Sequence, residues 1–143
     1  MAAQIRDVEG CIFCDIVNGR APGHWIYEDK YVAVFLSLEG QPLIIPKPHF
    51  SDIFELDEIY AAAIMKAAVR VAKATKIAIG CDGINLVQSN GTPAGQDLFH
   101  FHLHIKPRFI GDDVTLQWNT KAIDEAIRKE TSDTISRQLN KIP

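Results

Sequence analysis

The sequence predicts an α+β fold: an antiparallel five-stranded sheet with one long helix packed on it and a C-terminal helix. Three observations point to it. Short aromatic and β-branched runs precede residue 50, a single long 3.6-residue period follows between residues 57 and 79, and two more short runs come after it. The order strand, strand, strand, helix, strand, strand places one helix against one sheet. With no internal repeat and no linker-like stretch before residue 110, the first hundred or so residues read as one packed unit.

Trp25–Tyr27 and Tyr31–Leu36 are separated by Glu28, Asp29 and Lys30, the pattern of a hairpin with a tight polar turn. Leu43–Ile44–Ile45 is a buried strand closed by Pro46–Lys47–Pro48, where proline withdraws a ladder donor. From Asp57 to Ile79 a helix is expected on the spacing of Ile59, Ala62, Ala63, Met65, Val69 and Ala72. Acids at its start, bases in its later turns and Gly80 at its end suit the helix dipole and a left-handed stop. Ile84–Gln88 and Phe99–Lys106 complete the sheet. A weaker apolar stripe (Ile123, Ala126, Ile127, Ile135, Leu139) predicts a helix over Thr120–Leu139, one that docks late or serves a subunit contact.

Fifteen basic against eighteen acidic residues give a net charge of -3, with no run of five like charges, so wrapping a nucleic-acid polymer is disfavoured. A small anion can still be held by backbone N–H groups and histidines. Neither a signal-peptide core nor a membrane span is evident, and the expected location is the cytoplasm. Three cysteines, an odd number, argue against a disulfide framework.

The most informative segment is Phe99-His100-Phe101-His102-Leu103-His104-Ile105. Strict alternation predicts the apolar residues on one face of a strand and three imidazoles on the other. Same-face neighbours rise about 6.6 Å, which puts the outer pair about 13 Å apart at the backbone. A neighbouring pair could share a metal ion, but three rings in a row hardly can, since zinc wants each nitrogen at about 2.0–2.1 Å. A division of labour follows, with one ring as nucleophile or base and its neighbours orienting a substrate. Upstream, Asn90-Gly91-Thr92-Pro93-Ala94-Gly95-Gln96-Asp97 is a glycine-bearing loop that reads either as a turn or as a phosphate nest. Cys11 and Cys14, in CIFC, have the spacing of half a zinc site; a redox pair and two merely buried thiols are the alternatives. His24 reads as a surface residue and Cys81 as a small apolar side chain near the helix end.

These residues resemble the histidine triad (HIT) family, across roughly Cys11 to Phe109: CIFCDIVNGRAP, YEDKYVAVFL, LIIPKPHF and QSNGTPAGQDLFHFHLHIKPRF occur in the family's order. The resemblance implies a HIT-like catalytic domain over residues 1–110, with 111–143 as a C-terminal extension of the same domain. It implies hydrolysis or transfer at the α-phosphorus of a nucleotide conjugate, a phosphoramidate or dinucleoside polyphosphate, through a covalent nucleotidyl-histidine. His102 corresponds to the nucleophile and His104 to the residue that hydrogen-bonds the phosphoryl oxygens. Gly95, Gln96 and Asp97 match the phosphate cradle, Asn90 borders the pocket, and Ile12, Phe13, Ile16, Phe35 and Leu36 match the apolar positions around a purine base. Ser37 stands where family members commonly carry an Asp that holds the ribose hydroxyls, and a neutral hydroxyl grips more weakly than a carboxylate. The loop ending at Gly40–Gln41 is shorter than in many members.

In one branch of the family, the cysteine pair joins two histidines in a closed structural zinc site. The corresponding positions are Cys11, Cys14, His49 and His100. Homodimers are common in the family, formed through the long helix and an adjoining strand, and an exposed apolar stripe on that helix would be the sign. Two other functions compete with a nucleotide-processing enzyme: a non-catalytic nucleotide-binding module, and a hydrolase with catalytic zinc.

Overall fold

The structure, a computed structural model, describes residues 6–143; residues 1–5, part of the segment read as lacking an apolar leader, lie outside the described residues. In chain order the elements are α1 (Ile12–Val17), β1 (Trp25–Glu28), β2 (Val32–Leu36), β3 (Pro42–Pro46), α2 (Glu58–Ile79), β4 (Gly83–Val87), β5 (Leu103–Arg108) and α3 (Glu125–Leu139), with one 3₁₀ turn at Thr92–Ala94. The strands form one sheet in the order β1-β2-β3-β5-β4, and every neighbouring pair is antiparallel. Among the described residues no helix is long and apolar enough to cross a membrane.

β2 and β3 are buried along both faces, which explains their nearly continuous apolar sequences. Period-two alternation sends Val32, Val34 and Ile44 towards α2, and Ala33, Phe35, Leu43 and Ile45 towards α1. The turn before β2 is held by one carboxylate. Asp29 accepts hydrogen bonds from the Tyr31 and Val32 N–H groups at 2.7 and 2.9 Å and from the Tyr27 hydroxyl at 3.0 Å. Burial alone would raise its pKa, but these donors outweigh it and hold the carboxyl below its ordinary value.

α2 begins where expected, with Asp57 capping the Ile59 N–H at 2.8 Å, and ends at Gly80 in the left-handed conformation (φ 72°). Its buried face, however, is Ile64, Ala67, Ala68, Val71 and Thr75. Ile59, Met65 and Val69, from the stripe read in the sequence, lie exposed. The helix is apolar on two sides, so the period reveals a helix without revealing which side the sheet covers.

Two further expectations need correction, and α1 has no counterpart in the sequence reading, because six residues are too few to show a period. The last strand starts at Leu103 rather than Phe99: Phe101 N–H instead donates to the Phe50 carbonyl at 2.7 Å, and Phe99 is exposed. The final helix starts at Glu125 rather than Thr120. Asp124 caps Ala126 N–H at 2.9 Å, while Asn119 draws Lys121 N–H into a local turn. The chain divides into two compact units at Asp112/Asp113, and α3, in the second, has no buried residue.

Candidate active site and metal centre

The irregular stretch before β5 separates the three histidines. His100 is fully buried, and its ring joins Cys11, Cys14 and His49 in a cluster whose ligand atoms all lie within 4.8 Å of one another. His100 Nδ1 is 3.4 Å from Cys11 Sγ and 3.5 Å from Cys14 Sγ, and His49 Nδ1 is 3.4 Å from Cys14 Sγ. Tetrahedral zinc with bonds of about 2.3 Å to sulfur and 2.0–2.1 Å to nitrogen requires S···N edges of roughly 3.6 Å. The donor set therefore fits a metal of that kind with little movement.

Contacts behind the ligand atoms prepare the donors. His100 Nε2–H donates to the Pro46 carbonyl at 2.9 Å, which leaves the Nδ1 lone pair aimed at the sulfurs. Burial lowers the His100 pKa to about 4 and lowers that of His49, so both rings are neutral at pH 7, as ligands must be. Burial likewise pushes the Cys14 thiol up to about 11, which makes a thiolate costly there without a cation. Local folding places the pair: Cys11 caps α1 by accepting the Cys14 N–H at 3.4 Å, so both sulfurs sit at one helix end. Cys81 is buried outside this cluster.

His102 and His104 line a cleft of about 810 Å³. Their ring centroids are 5.1 Å apart, and the edge of Phe13 meets His102 at 5.3 Å. A backbone carbonyl can only accept, so the 2.7 Å contact between His102 Nδ1 and the His100 carbonyl puts the proton on Nδ1. Among the described residues nothing bonds Nε2, whose lone pair is therefore available. Burial, and then the neighbouring His102 and Lys106, hold His104 below its ordinary pKa, and its buried Nδ1 has no partner among the described residues.

The cleft has an apolar and a polar end. Ile12, Phe13, Ile16, Phe35 and Leu36 form the first; Ser37, Glu39, Gly95, Asp97, His104 and Lys106 line the second. Phe35, Leu43, His104 and Val87 stand in register as one row across the sheet, which fixes the cleft floor. His24, read as a surface residue, is exposed at the rim.

Asn90 and Gln96 do not line the cleft. Their amides organise loops: Asn90 Oδ1 accepts from Ile53 N–H at 2.7 Å, while Gln96 bridges Gly91 N–H and the Ser51 and Leu98 carbonyls. The glycine loop also uses most of its own donors. Gly91 N–H bonds the Gln96 side chain, and the N–H groups of Ala94, Gly95 and Gln96 bond carbonyls within the turn. Among the described residues, Asp97 and Leu98 keep unengaged N–H groups, so an anion would be held just beyond the glycines. Glu39 and Lys106, paired at 3.5 Å, were not singled out from the sequence. Lys106 could have been, since it continues the alternation of His102 and His104.

A family model described as the HIT domain matches residues 18–110. The protein hit of Bacillus subtilis is 36% identical over 93% of this chain and 94% of its own length. An adenylylsulfatase of Arabidopsis thaliana is 33% identical over 93% and 71% of the two chains, and an adenosine 5'-monophosphoramidase of Saccharomyces cerevisiae is 36% identical over 68% and 62%. Among solved structures, one from Streptococcus mutans UA159 superposes with a TM-score of 0.88 at 30% identity, covering 97% of this chain and 95% of that one. A zinc-bound histidine triad protein from Mycobacterium smegmatis gives 0.70 at 33% identity, covering 78% and 84%. With the triad, the cleft and these likenesses together, the chain belongs to the HIT-domain family.

Proposed function

We propose that this protein hydrolyses, or transfers from, conjugates of a purine nucleoside monophosphate, using His102 as a covalent nucleophile. The observation that carries the reading is the 2.7 Å bond from His102 Nδ1–H to the His100 carbonyl, which leaves an uncommitted Nε2 lone pair at a cleft with one apolar and one polar end. The two relatives named for activity act on different adenylyl conjugates, which fits a site that recognises the nucleotide and tolerates the leaving group.

In this mechanism Nε2 attacks the α-phosphorus and the bond to the leaving group breaks, its electron pair departing with that group, which takes up a proton from solvent when it leaves as an amine. A water then attacks the phosphorus, the P–N bond breaks with its pair returning to Nε2, and the water's proton passes to solvent as the monophosphate leaves. The Nδ1 proton stays on the ring throughout, and the His100 carbonyl that accepts it would stabilise the positive charge that forms on the imidazole. His104 and the Asp97 and Leu98 N–H groups would stabilise the phosphoryl oxygens.

Cys11, Cys14, His49 and His100 would hold zinc. Four protein donors fill a tetrahedral shell, so its contribution would be structural, linking α1 and the segment after β3 to His100. His100 in turn supplies the carbonyl that orients His102, so the metal centre would support the nucleophile without touching substrate.

We further propose a cytoplasmic homodimer in which a second copy covers the exposed Ile59, Met65 and Val69 of α2, with residues 111–143 an extension of the catalytic domain. Sedimentation of the purified chain at the mass of one copy would remove the dimer. The enzyme reading is tested by rapid mixing with an adenosine phosphoramidate. A stoichiometric burst of released amine ahead of AMP is expected, whereas binding without turnover would support a nucleotide-binding module.

A further inference from the structure

We propose that Glu39 is the acceptor for the sugar diol of the nucleotide and that Lys106 positions its carboxylate. This rests on the reading above. A nucleotide with its base on the Phe13, Ile16 and Phe35 wall and its phosphorus at His102 places the sugar between them, with its hydroxyls towards the remaining lip of the cleft. That lip is built by the turn from β2 to β3 and by the residue two beyond His104 on β5.

Two vicinal hydroxyls are two donors, and their best partners are carboxylate oxygens. Of the cleft-lining residues only Glu39 and Asp97 carry one, and Asp97 belongs to the phosphate loop, where its charge suits an anion poorly. Ser37, on the same turn as Glu39, offers only a neutral hydroxyl, which already accepts the Gln41 N–H at 3.2 Å and is a weaker acceptor than a carboxylate. Glu39, by contrast, lines the cleft, and among the described residues its carboxylate has no partner but Lys106 Nζ at 3.5 Å. Lys106 is the less exposed of the two, with its side chain 31% accessible against 66%, so it tethers the more mobile Glu39 across the lip. The same turn holds the buried Gln41 Oε1, which has no donor among the described residues, a second sign that hydrogen-bond donors are missing here.

The test compares calorimetric binding of AMP and 2',3'-dideoxy-AMP to the full chain, alongside turnover of the matching phosphoramidates. Wild type should favour the ribonucleotide by roughly 10- to 100-fold, the range for hydrogen bonds to a charged acceptor. Glu39→Ala should bring that preference within about threefold while leaving dideoxy-AMP binding unchanged. Lys106→Met should erode the preference and Lys106→Arg restore it, a rescue that a merely structural lysine would not show. Ser37→Ala should keep the preference. A wild type that binds both nucleotides equally, a Glu39→Ala protein that still discriminates, or collapse on Ser37→Ala would each overturn the assignment. If wild type neither binds AMP nor turns over either conjugate, the fault lies instead with the functional reading beneath it.

Discussion

His100 and His102 are two residues apart in one segment, yet the fold puts them to opposite uses. His100 has both nitrogens engaged, Nε2 on the Pro46 carbonyl and Nδ1 among the sulfurs, and it is wholly buried. His102 has one nitrogen tied to the backbone and the other available at the cleft. The same side chain is a clamp where both of its nitrogens are satisfied and a reagent where one is not. What separates the two is their surroundings: two thiols, His49 and the Pro46 carbonyl enclose the first ring, while the cleft lies beside the second.

Substitutions break this contrast in order of size. His102→Ala should lower kcat by about 10⁴-fold or more, the scale at which nucleophiles fail when removed, with AMP affinity changed only a few-fold in calorimetry. His104→Ala should cost about 10²–10³-fold in kcat, as the loss of one preorganised donor to a developing oxyanion does, with KM little affected in steady-state assays. Cys14→Ala, or exhaustive chelation, should destabilise the fold by about 3 kcal/mol or more, read as a melting temperature lower by about 10 °C or more. Activity should fall along with the folded fraction. A chelated protein that stays folded but inactive would instead favour catalytic metal.

The smallest effect lies far from either histidine and serves as a control. Asp29→Ala removes a charged acceptor from three donors and should cost about 1–3 kcal/mol in denaturant unfolding, without altering kcat of the folded protein. Because the folded carboxyl binds its proton more weakly than the unfolded one, the wild-type advantage is complete above the ordinary value of 3.8 and fades as pH drops through the lower folded value. An advantage that instead grew as the pH fell would contradict this account of the turn.

The sequence disclosed those features whose cause is local. The hairpin at Asp29, the helix beginning at Asp57, the stop at Gly80 and the buried β3 follow from neighbouring residues, and the structure has each of them. The metal-ligand set and the roles of His102 and His104 came from resemblance to a family, and the structure brings the four ligand residues together and sets both rings at the cleft. What escaped depends on distant partners. Alternation suggested a strand from Phe99, but Phe50 captures Phe101 and the ligand cluster captures His100, so the ladder forms only from Leu103. Two apolar sides of α2 cannot be ranked without knowing where the sheet lies. Gln96 is placed in the phosphate cradle by resemblance, and the sequence does not show that its side-chain amide is engaged inside the loop.

The central claim is that the uncommitted nitrogen of His102 forms a bond to phosphorus. The most direct measurement is acid-free quenching of the enzyme during turnover of a labelled adenosine phosphoramidate, followed by peptide mapping of the protein-bound label. The account predicts an acid-labile nucleotidyl adduct on His102 that forms and decays at rates matching turnover and is absent from His102→Ala. An adduct on another residue, or full turnover with no label on protein at any time, would contradict it.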